Sequence, residues 1–221
     1  MKIIELKKTF TDSNDKDAEK LRAFLKEKSV FLVNLMSAPG SGKTTLLSRI
    51  ITDLRGRASI AVMEADIASA VDAERIAALG AQSIQVHTDG MCHMDAGMTR
   101  AGLEAMDLSG IDIVFLENVG NLICPAEYDT GAVKNVMILS VPEGDDKPLK
   151  YPLMFRESDA LVITKTDALP YFNFDMDKAQ ERARALNPHI EIFPVSAKTG
   201  EGMAALEAWL TEETKAWQNH A

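Results

Sequence analysis

The chain has 221 residues, of which 46% are hydrophobic and 26% charged, and its formal net charge is -9 at pH 7. This length and balance predict a globular protein with enough residues for one large core. The acidic balance argues against general nucleic-acid binding, because phosphates are bound by an excess of Lys and Arg. No apolar run approaches the roughly 18 residues of a membrane span, and the N-terminus lacks the apolar core of a signal peptide. We therefore expect a cytoplasmic protein without a nucleic-acid or membrane partner.

The first predicted element is an N-terminal helix. Residues 11–28 are polar and helix-prone, and from residue 15 to residue 28 one face carries apolar side chains at helical spacing. These apolar residues are Ala18, Leu21 and Leu25. We expect the helix to pack on the edge of the remaining chain, which divides the sequence into an N-terminal helical segment (1–28) and a main domain (29–221).

A phosphate-binding P-loop follows this helix. The apolar run 30–36 predicts a buried strand, which enters a turn of small residues ending in Gly42-Lys43-Thr44 and opens a helix. Glycine lets backbone N–H groups close on an anion, and the helix N-terminus adds its unpaired N–H groups. We expect Lys43 to reach the β- and γ-phosphates of a nucleotide and the Thr44 hydroxyl to bind Mg²⁺. The residues expected around the phosphates are Gly40, Ser41, Gly42, Lys43, Thr44 and Thr45.

One position departs from the strict P-loop pattern. Ser37 stands where the pattern has glycine, five positions before Gly42, and serine resists a positive φ more than glycine does. Because Pro39-Gly40 supplies the turn, we interpret the departure as mild. The alternative is a glycine turn that merely joins a buried strand to a helix, which the order of strand, loop and helix disfavours.

Acidic residues follow two of the predicted strands. One strand is followed by Glu64 and Asp66, and a later one by Glu117 in a Walker-B arrangement. Such residues lie where an α/β fold binds its ligand, so we expect Asp66 to bind Mg²⁺ directly or through water and Glu117 to hold it through water. The N–H of Gly120 would contact the γ-phosphate, in a loop that changes shape when this phosphate leaves. In the alternative interpretation, Glu64 and Asp66 only start a solvated loop.

Apolar strands alternate with helical segments along the whole chain. This alternation predicts an α/β protein, a three-layer P-loop NTPase fold with a mainly parallel central sheet flanked by helices. The predicted strands are 30–36, 58–63, 83–86, 111–116, 134–141, 160–163 and 191–195. The further predicted helices are 71–79, 95–106 with Asp95 as N-cap, 175–186 and 203–217, and 142–148 is predicted to be a charged turn.

Two segments after late strands indicate which base is bound. They are Thr164-Lys165-Thr166-Asp167 and Ser196-Ala197-Lys198. The Asp167 carboxylate can accept hydrogen bonds from guanine N1–H and the 2-amino group, a donor pair that adenine lacks. We expect the stem of Lys165 to cover the base and the Ala197 N–H to meet guanine O6. Thr164 stands where the common GTPase pattern has Asn, yet the ordered elements together favour GTP.

The two cysteines, Cys92 and Cys124, both fall in loops after strands, at the edge where the phosphate site is expected. His93 follows Cys92 directly, and thiolate with imidazole suits Zn²⁺ or Ni²⁺. Two or three ligands do not complete a four-coordinate site, so water or a second subunit would supply the rest. The alternative is that both cysteines are small buried hydrophobes; their position at the phosphate edge favours a metal site.

The motifs together resemble the nickel-insertion GTPases of hydrogenase maturation, the HypB family. The resemblance covers the chain from about residue 30 to 217, and its most specific runs are 92–95, 117–125 and 143–148. It implies a GTPase of the dimerising SIMIBI type that couples GTP binding and hydrolysis to nickel delivery during NiFe-hydrogenase maturation. The residues it implies for catalysis are Lys43, Thr44, Asp66, Glu117 and Gly120.

The same resemblance implies a set of ligands and partners. A homodimer would carry a Ni²⁺ or Zn²⁺ site at its interface, built from Cys92, His93 and Cys124 of each subunit, besides GTP and Mg²⁺ in each cleft. The implied partners are the zinc-bearing nickel chaperone of the pathway and the hydrogenase large-subunit precursor. Lys147 would act near the nucleotide or the dimer contact, although the sequence alone fits a solvated turn residue equally well. The N-terminal residues include no cysteine cluster or histidine-rich segment, so we expect no nickel storage there.

Other functions stay open at this point. A GTPase chaperone for another metal centre, of the urease or cobalamin type, would share most of these residues. A small-molecule P-loop kinase would need an acceptor pocket and an Arg-rich lid, and no such Arg cluster is evident in the sequence. A metal-binding module with a vestigial P-loop is disfavoured by the intact Lys43, Thr44 and Asp167.

Overall fold

The computed structural model of the protein describes residues 6–65 and 75–219. Within these ranges, seven parallel strands form one sheet in the order β3-β2-β4-β1-β5-β6-β7. The strands are β1 (Phe31–Ser37), β2 (Ile60–Ala65), β3 (Gln82–Val86), β4 (Ile113–Glu117), β5 (Lys134–Ser140), β6 (Ala160–Thr164) and β7 (Glu191–Pro194). The predicted parallel α/β architecture is confirmed.

Helices cover both faces of this sheet. They are α1 (Leu6–Glu27), α2 (Lys43–Asp53), α3 (Ala96–Glu104), α4 (Lys147–Lys150), α5 (Pro152–Arg156), α6 (Met176–Leu186) and α7 (Met203–Asn219). Short 3-10 turns occupy Cys124–Ala126, Val141–Glu143 and Thr166–Tyr171. Of the predicted helix 71–79, residues 75–78 are helical, and its first part lies outside the described residues. No helix in the described ranges is long and apolar enough to cross a membrane.

The central strand β1 organises the core. All its residues are buried, between β4 and β5, and alternate side chains point to opposite faces of the sheet. Phe31, Val33 and Leu35 pack with α2 and α7. On the other face, Leu32 packs with α1 and α3, and Met36 with α5 and α6. The carboxyl end of β1 therefore opens in the middle of the sheet, with strands on both sides of the loop that follows.

The N-terminal helix α1 packs on the sheet as its spacing predicts. The predicted face, Ala18, Leu21 and Leu25, is fully buried. The helix begins earlier than predicted, at Leu6. The polar side chain that would interrupt it, Asn14, bonds to other segments and so does not compete with its own backbone.

Two segments differ from the prediction. β2 extends to Ala65, so Glu64 is 3% exposed inside a strand, and the alternative that it starts a solvated loop is wrong. The reason is that β2 pairs with β4 to its end, where Glu64 lies opposite Glu117. Residues 142–148 are likewise not a plain turn: a 3-10 turn precedes Lys147, which is half-buried and begins α4.

Replacing Leu21 with Ala tests the packing of α1 on the core. Because Leu21 is fully buried, the substitution should lower the free energy of unfolding by about 2–5 kcal/mol, measured by urea denaturation. Lys16→Ala, on the exposed side of the same helix, is the control and should change it by less than about 0.5 kcal/mol. Equal effects of the two substitutions would contradict the packing.

Candidate functional site

The turn between β1 and α2 has the backbone of an anion cradle. Gly40 and Gly42 have φ values of +76° and +96°, a left-handed conformation that glycine adopts without strain. Gly42 is the N-cap of α2 and offers no side chain to its first N–H groups. The N–H groups at a helix N-terminus and the helix dipole both favour a negatively charged ligand at this position.

Ser37 has a defined role at the start of this turn. It is the last residue of β1 and is not among the positive-φ positions, so its place in the P-loop pattern does not require glycine. Its hydroxyl accepts a hydrogen bond from Lys43 Nζ at 3.0 Å and donates to Ala38 O at 2.8 Å. The departure from the strict pattern thus supplies a contact for the P-loop lysine.

The residues predicted to bind Mg²⁺ are partly brought together. Thr44 Oγ1 donates to Glu117 Oε1 at 3.1 Å. Both groups are oxygen donors of the kind Mg²⁺ prefers, and their closeness fits the expected arrangement, in which Thr44 binds the ion and Glu117 holds it through water. Glu64 lies beside Glu117 in the sheet. Asp66, the third predicted ligand, lies outside the described residues.

The loop after β4 touches the P-loop at Gly120. A Cβ added to Gly120 would come within 3.1–3.3 Å of the ring and backbone of Pro39. Such contacts are too tight for most side chains, so glycine lets the two loops approach. This closeness puts the backbone of Gly120 at the mouth of the anion cradle.

A cleft of about 580 Å³ opens between these loops. Besides P-loop residues 39–45, its lining includes Glu64, Arg75, Glu117, Gly120 and Lys165. The lining thus combines three cationic residues, Lys43, Arg75 and Lys165, with the carboxylates of Glu64 and Glu117. Polyphosphate with a divalent cation fits this distribution of charge.

The predicted base-reading segments lie at the same edge of the sheet, after β6 and β7. Ser196 Oγ donates to Asp167 Oδ1 at 2.7 Å, and Lys198 Nζ lies 4.0 Å from Asp167 Oδ2. Arg49 donates to Ala197 O at 3.3 Å. Asp167 is therefore oriented by the second segment, and the two form one unit.

The first segment also supports the P-loop. Lys165 has a φ of +60° and its Nζ donates to Gly40 O at 2.7 Å. Thr164 is buried and donates to Ser41 O at 2.8 Å. The threonine in place of asparagine thus fixes the phosphate loop to the end of β6.

The predicted metal-binding residues come from two loops that meet. Cys92 is exposed, and its Sγ lies 3.8 Å from His93 Nδ1. This distance is close to the roughly 3.6 Å between a sulfur and a nitrogen ligand of one tetrahedral Zn²⁺. A side-chain hydrogen bond with Cys124, aided by partial burial, raises the pKa of the Cys92 thiol. Burial lowers the pKa of His93, which favours the neutral imidazole that metals bind.

The ligand set is nevertheless incomplete in one chain. Within the residues the structure describes, no group of three or more His, Cys, Asp or Glu side chains is arranged to hold a metal ion. The His93 ring is 8% exposed and stacks on Tyr128, with centroids 3.8 Å apart and planes 12° from parallel. The ring is thus fixed against the second loop, while Cys92 is exposed.

Asn14 of α1 bonds to the two segments that follow Cys92 and Cys124. Its Oδ1 accepts from Ala96 N at 3.0 Å, at the start of α3, and its Nδ2 donates to Asp129 O at 2.8 Å. Arg22 adds a two-pronged ion pair with Asp129, at 2.8 and 3.0 Å. The predicted N-cap Asp95 is confirmed, since its Oδ1 accepts from Met98 N at 2.8 Å. The N-terminal helix therefore fixes the loops after Cys92 and Cys124.

Comparison with known proteins identifies the family. The family model described as CobW/HypB/UreG, nucleotide-binding domain, matches residues 31–194. The hydrogenase maturation factor HypB of Rhizobium leguminosarum bv. viciae is 44% identical over 209 residues, which are 95% of this chain and 70% of that protein. The chain belongs to the HypB family. The predicted resemblance is confirmed.

Two further HypB proteins extend this result. The crystal structure of HypB from Helicobacter pylori in complex with nickel matches with a TM-score of 0.88 at 36% identity, over 92% of this chain and 96% of that one. The hydrogenase/urease maturation factor HypB of Helicobacter hepaticus is 39% identical over 225 residues, 99% of this chain and 90% of that protein. The similarity to HypB thus extends well beyond the nucleotide-binding motifs.

Several residues of the HypB site were not predicted from the sequence. Arg75 lines the cleft, Tyr128 stacks on His93, and Asn14 and Asn118 join loops. Asn118 follows Glu117 directly, at the end of a buried strand, and this position is the one signal that pointed to it. The others are set by tertiary contacts that leave no local pattern.

Replacing Asn14 with Ala tests the support of the two loops. The change leaves Ala96 N–H and Asp129 C=O without this partner, so we expect the free energy of unfolding to fall by about 1–3 kcal/mol. Ser13→Ala, at an exposed position of the same helix, should have little effect. Urea denaturation measures both, and an unchanged Asn14→Ala midpoint would contradict the role.

Proposed function

We propose that this chain is a GTP-hydrolysing metallochaperone that couples GTP binding and hydrolysis to nickel delivery during NiFe-hydrogenase maturation. One observation carries the proposal: the loop that leaves the phosphate cleft at Glu117 leads directly to Cys124, beside Cys92. Membership of the HypB family and the likeness to a HypB structure in complex with nickel support it.

Nucleotide binding follows from the charges of the cleft. The N–H groups of the P-loop and Lys43 would neutralise the β- and γ-phosphates, with Ser37 positioning the lysine. Mg²⁺, held by Thr44 and Glu117 with Asp66, would offset the charge of the phosphate oxygens. The remaining P-loop residues, Gly40, Ser41, Gly42 and Thr45, would close around the phosphates.

Base recognition rests on Asp167. Its carboxylate, held by Ser196, would accept from guanine N1–H and the 2-amino group, while Ala197 N–H would meet O6 and Lys165 would cover the ring. Lys198, near the second carboxylate oxygen, balances the charge of the pocket. Adenine would leave this carboxylate unpaired, so the site should select guanine.

Hydrolysis needs little covalent help from the protein, because phosphoryl transfer depends on positioning and charge neutralisation. Loss of the γ-phosphate would remove the ligand of the Gly120 N–H and release the loop that leads to Cys124. Metal binding at Cys92, His93 and Cys124 would then weaken, so that the nickel ion, the cargo, passes on. By linkage, nickel must change nucleotide affinity to the same degree.

The metal site fits a homodimer in which each subunit contributes Cys92, His93 and Cys124. One chain offers an incomplete ligand set within the described residues, and a two-fold axis would double it. Exposed apolar side chains flank the cysteines, Met91 at 36% and Ile123 at 57% exposure, as at the surfaces by which proteins associate. We extend the proposal to Zn²⁺ as a second possible ion, to the zinc-bearing nickel chaperone and the hydrogenase large-subunit precursor as partners, and to a cytoplasmic location.

The names of relatives give a reason to test a second recipient of the metal. The HypB of Helicobacter hepaticus is named a hydrogenase/urease maturation factor and matches 99% of this chain. The nucleotide and metal chemistry would be the same for urease, so only the recipient differs. Nickel transfer to each apo-enzyme precursor, measured side by side, distinguishes the two.

Asp167→Asn should change the preferred base. An Asn side chain accepts from the N1–H of xanthine and donates to its 2-carbonyl oxygen, but it faces the guanine 2-amino group with a donor. We expect GDP affinity to fall about 100-fold or more and xanthosine diphosphate to bind better than GDP in competition titrations. Asp177→Asn, at an exposed position of α6, is the matched control. A variant that still prefers GDP over both xanthosine diphosphate and ADP would contradict this assignment.

Replacing both cysteines should remove specific metal binding. Because thiolates are the strongest ligands of the set, Cys92→Ala with Cys124→Ala should weaken Ni²⁺ and Zn²⁺ binding at least about tenfold, measured by competition with a chromophoric chelator. GDP binding without metal should not change. His189→Ala, at an exposed histidine outside the site, controls for adventitious binding. Wild-type metal affinity in the double variant would refute the site.

A further inference from the structure

Asn118 joins the loop at the phosphate cleft to the loop that carries Cys92 and His93. It is 1% exposed and follows Glu117, at the end of β4. Its Oδ1 accepts two hydrogen bonds, from Val119 N at 2.9 Å within its own loop and from Met94 N at 3.2 Å in the other loop. One buried oxygen therefore binds both loops.

The rest of the Asn118 amide is held by the sheet. Its Nδ2 donates to Asn34 Oδ1 at 3.0 Å, and Asn34 Nδ2 donates to Asn135 Oδ1 at 2.9 Å. Asn135 Nδ2 in turn donates to Glu157 O at 3.2 Å. The three amides cross β4, β1 and β5 with one direction of donation, which fixes the orientation of each. The carbonyl oxygen of Asn118 thus bonds to the two loops, and its amide nitrogen bonds to the centre of the sheet.

This arrangement limits how the cleft loop can move. If the backbone of Val119 and Gly120 shifts, Asn118 Oδ1 must lose one of its two N–H partners or carry Met94 with it. A buried polar group left without a partner is unfavourable, so the movement of Met94, next to His93, is favoured. The backbone from Glu117 connects the cleft to Cys124. The hydrogen bond between Asn118 and Met94 connects it to the loop that carries Cys92 and His93.

We infer that Asn118 is a positioning residue that couples nucleotide state to the Cys92–His93 half of the metal site. The inference rests on the proposed function and adds to it the residue through which the second loop responds. Asn118 is 1% exposed at the lining of the cleft, and the role inferred for it is to connect the two loops, not to bind phosphate or metal. Its effect is on the coupling free energy, the factor by which one ligand changes the affinity for the other.

The test measures this factor on the full chain. Ni²⁺ affinity is determined by chelator competition without nucleotide, with Mg·GDP and with a non-hydrolysable Mg·GTP analogue, and GDP affinity with and without Ni²⁺. We expect a factor of about 5 or more in the wild type. In Asn118→Ala the coupling factor should fall to within about twofold of 1. The affinity for each ligand measured alone should stay within about threefold of the wild-type affinity. Asn118→Ser, which retains a small polar group, replaces it if the alanine variant does not fold by circular dichroism.

Asn135→Ala is the matched control, because it removes a link of the same amide chain that touches neither loop. Its coupling factor should match the wild type even if its midpoint of unfolding falls. The inference is wrong if the Asn118 variant keeps the coupling factor of the wild type, or if Asn135→Ala loses as much coupling as the Asn118 variant. It is also wrong if the wild type binds both ligands with a coupling factor of 1. A wild type that binds no guanine nucleotide or no nickel would instead overturn the proposed function.

Discussion

The parallel pairing of β1 with β4 is the constraint on which the rest of the site depends. Leu35 lies opposite Glu117 in this pair, so the P-loop and the loop after β4 leave the sheet side by side. That register lets Thr44 of α2 bond to Glu117 and lets Gly120 pack on Pro39. Because side chains alternate along a strand, a slip of one residue would turn Glu117 to the other face and separate the groups. The buried faces of both strands exclude such a slip.

The sequence predicts well those features that depend on local pattern. The apolar runs gave each strand to within about two residues, because buried parallel strands read as continuous apolar stretches. The P-loop was predicted because its turn requires particular residues at Gly40 and Gly42. In the same way Asp95 was identified as an N-cap from its place before a helix. Each of these features is determined by residues that are close together in the chain, so the sequence alone predicts it.

Features that depend on partners distant in the chain were not predicted. Asn34 lies within an apolar run and gave no sign that its amide meets Asn118 and Asn135, which are far away in sequence. The polar run around Asn14 predicted a helix start, whereas the side chain bonds across to Asp129 and Ala96. The apolar pattern ends the predicted strand before Glu64, whereas the pairing of β2 with β4 extends the strand past it. Each case requires the register of two separate segments, which periodicity along one segment does not give.

Buried amides in the middle of this sheet need a physical reason. Apolar side chains of similar volume would pack there without any need for partners, since a buried polar group stabilises the fold only when it is bonded. Asn34 and Asn118 are both 1% exposed and both bonded at each end. Their directional bonds permit few arrangements, whereas apolar contacts would tolerate gradual displacement of the loops. Such a connection suits two loops that move together. When the bonded amide changes position, the backbone groups bonded to it change position as well. The polar core beneath the cleft is therefore consistent with a switch whose two loops, after β3 and β4, respond as one unit.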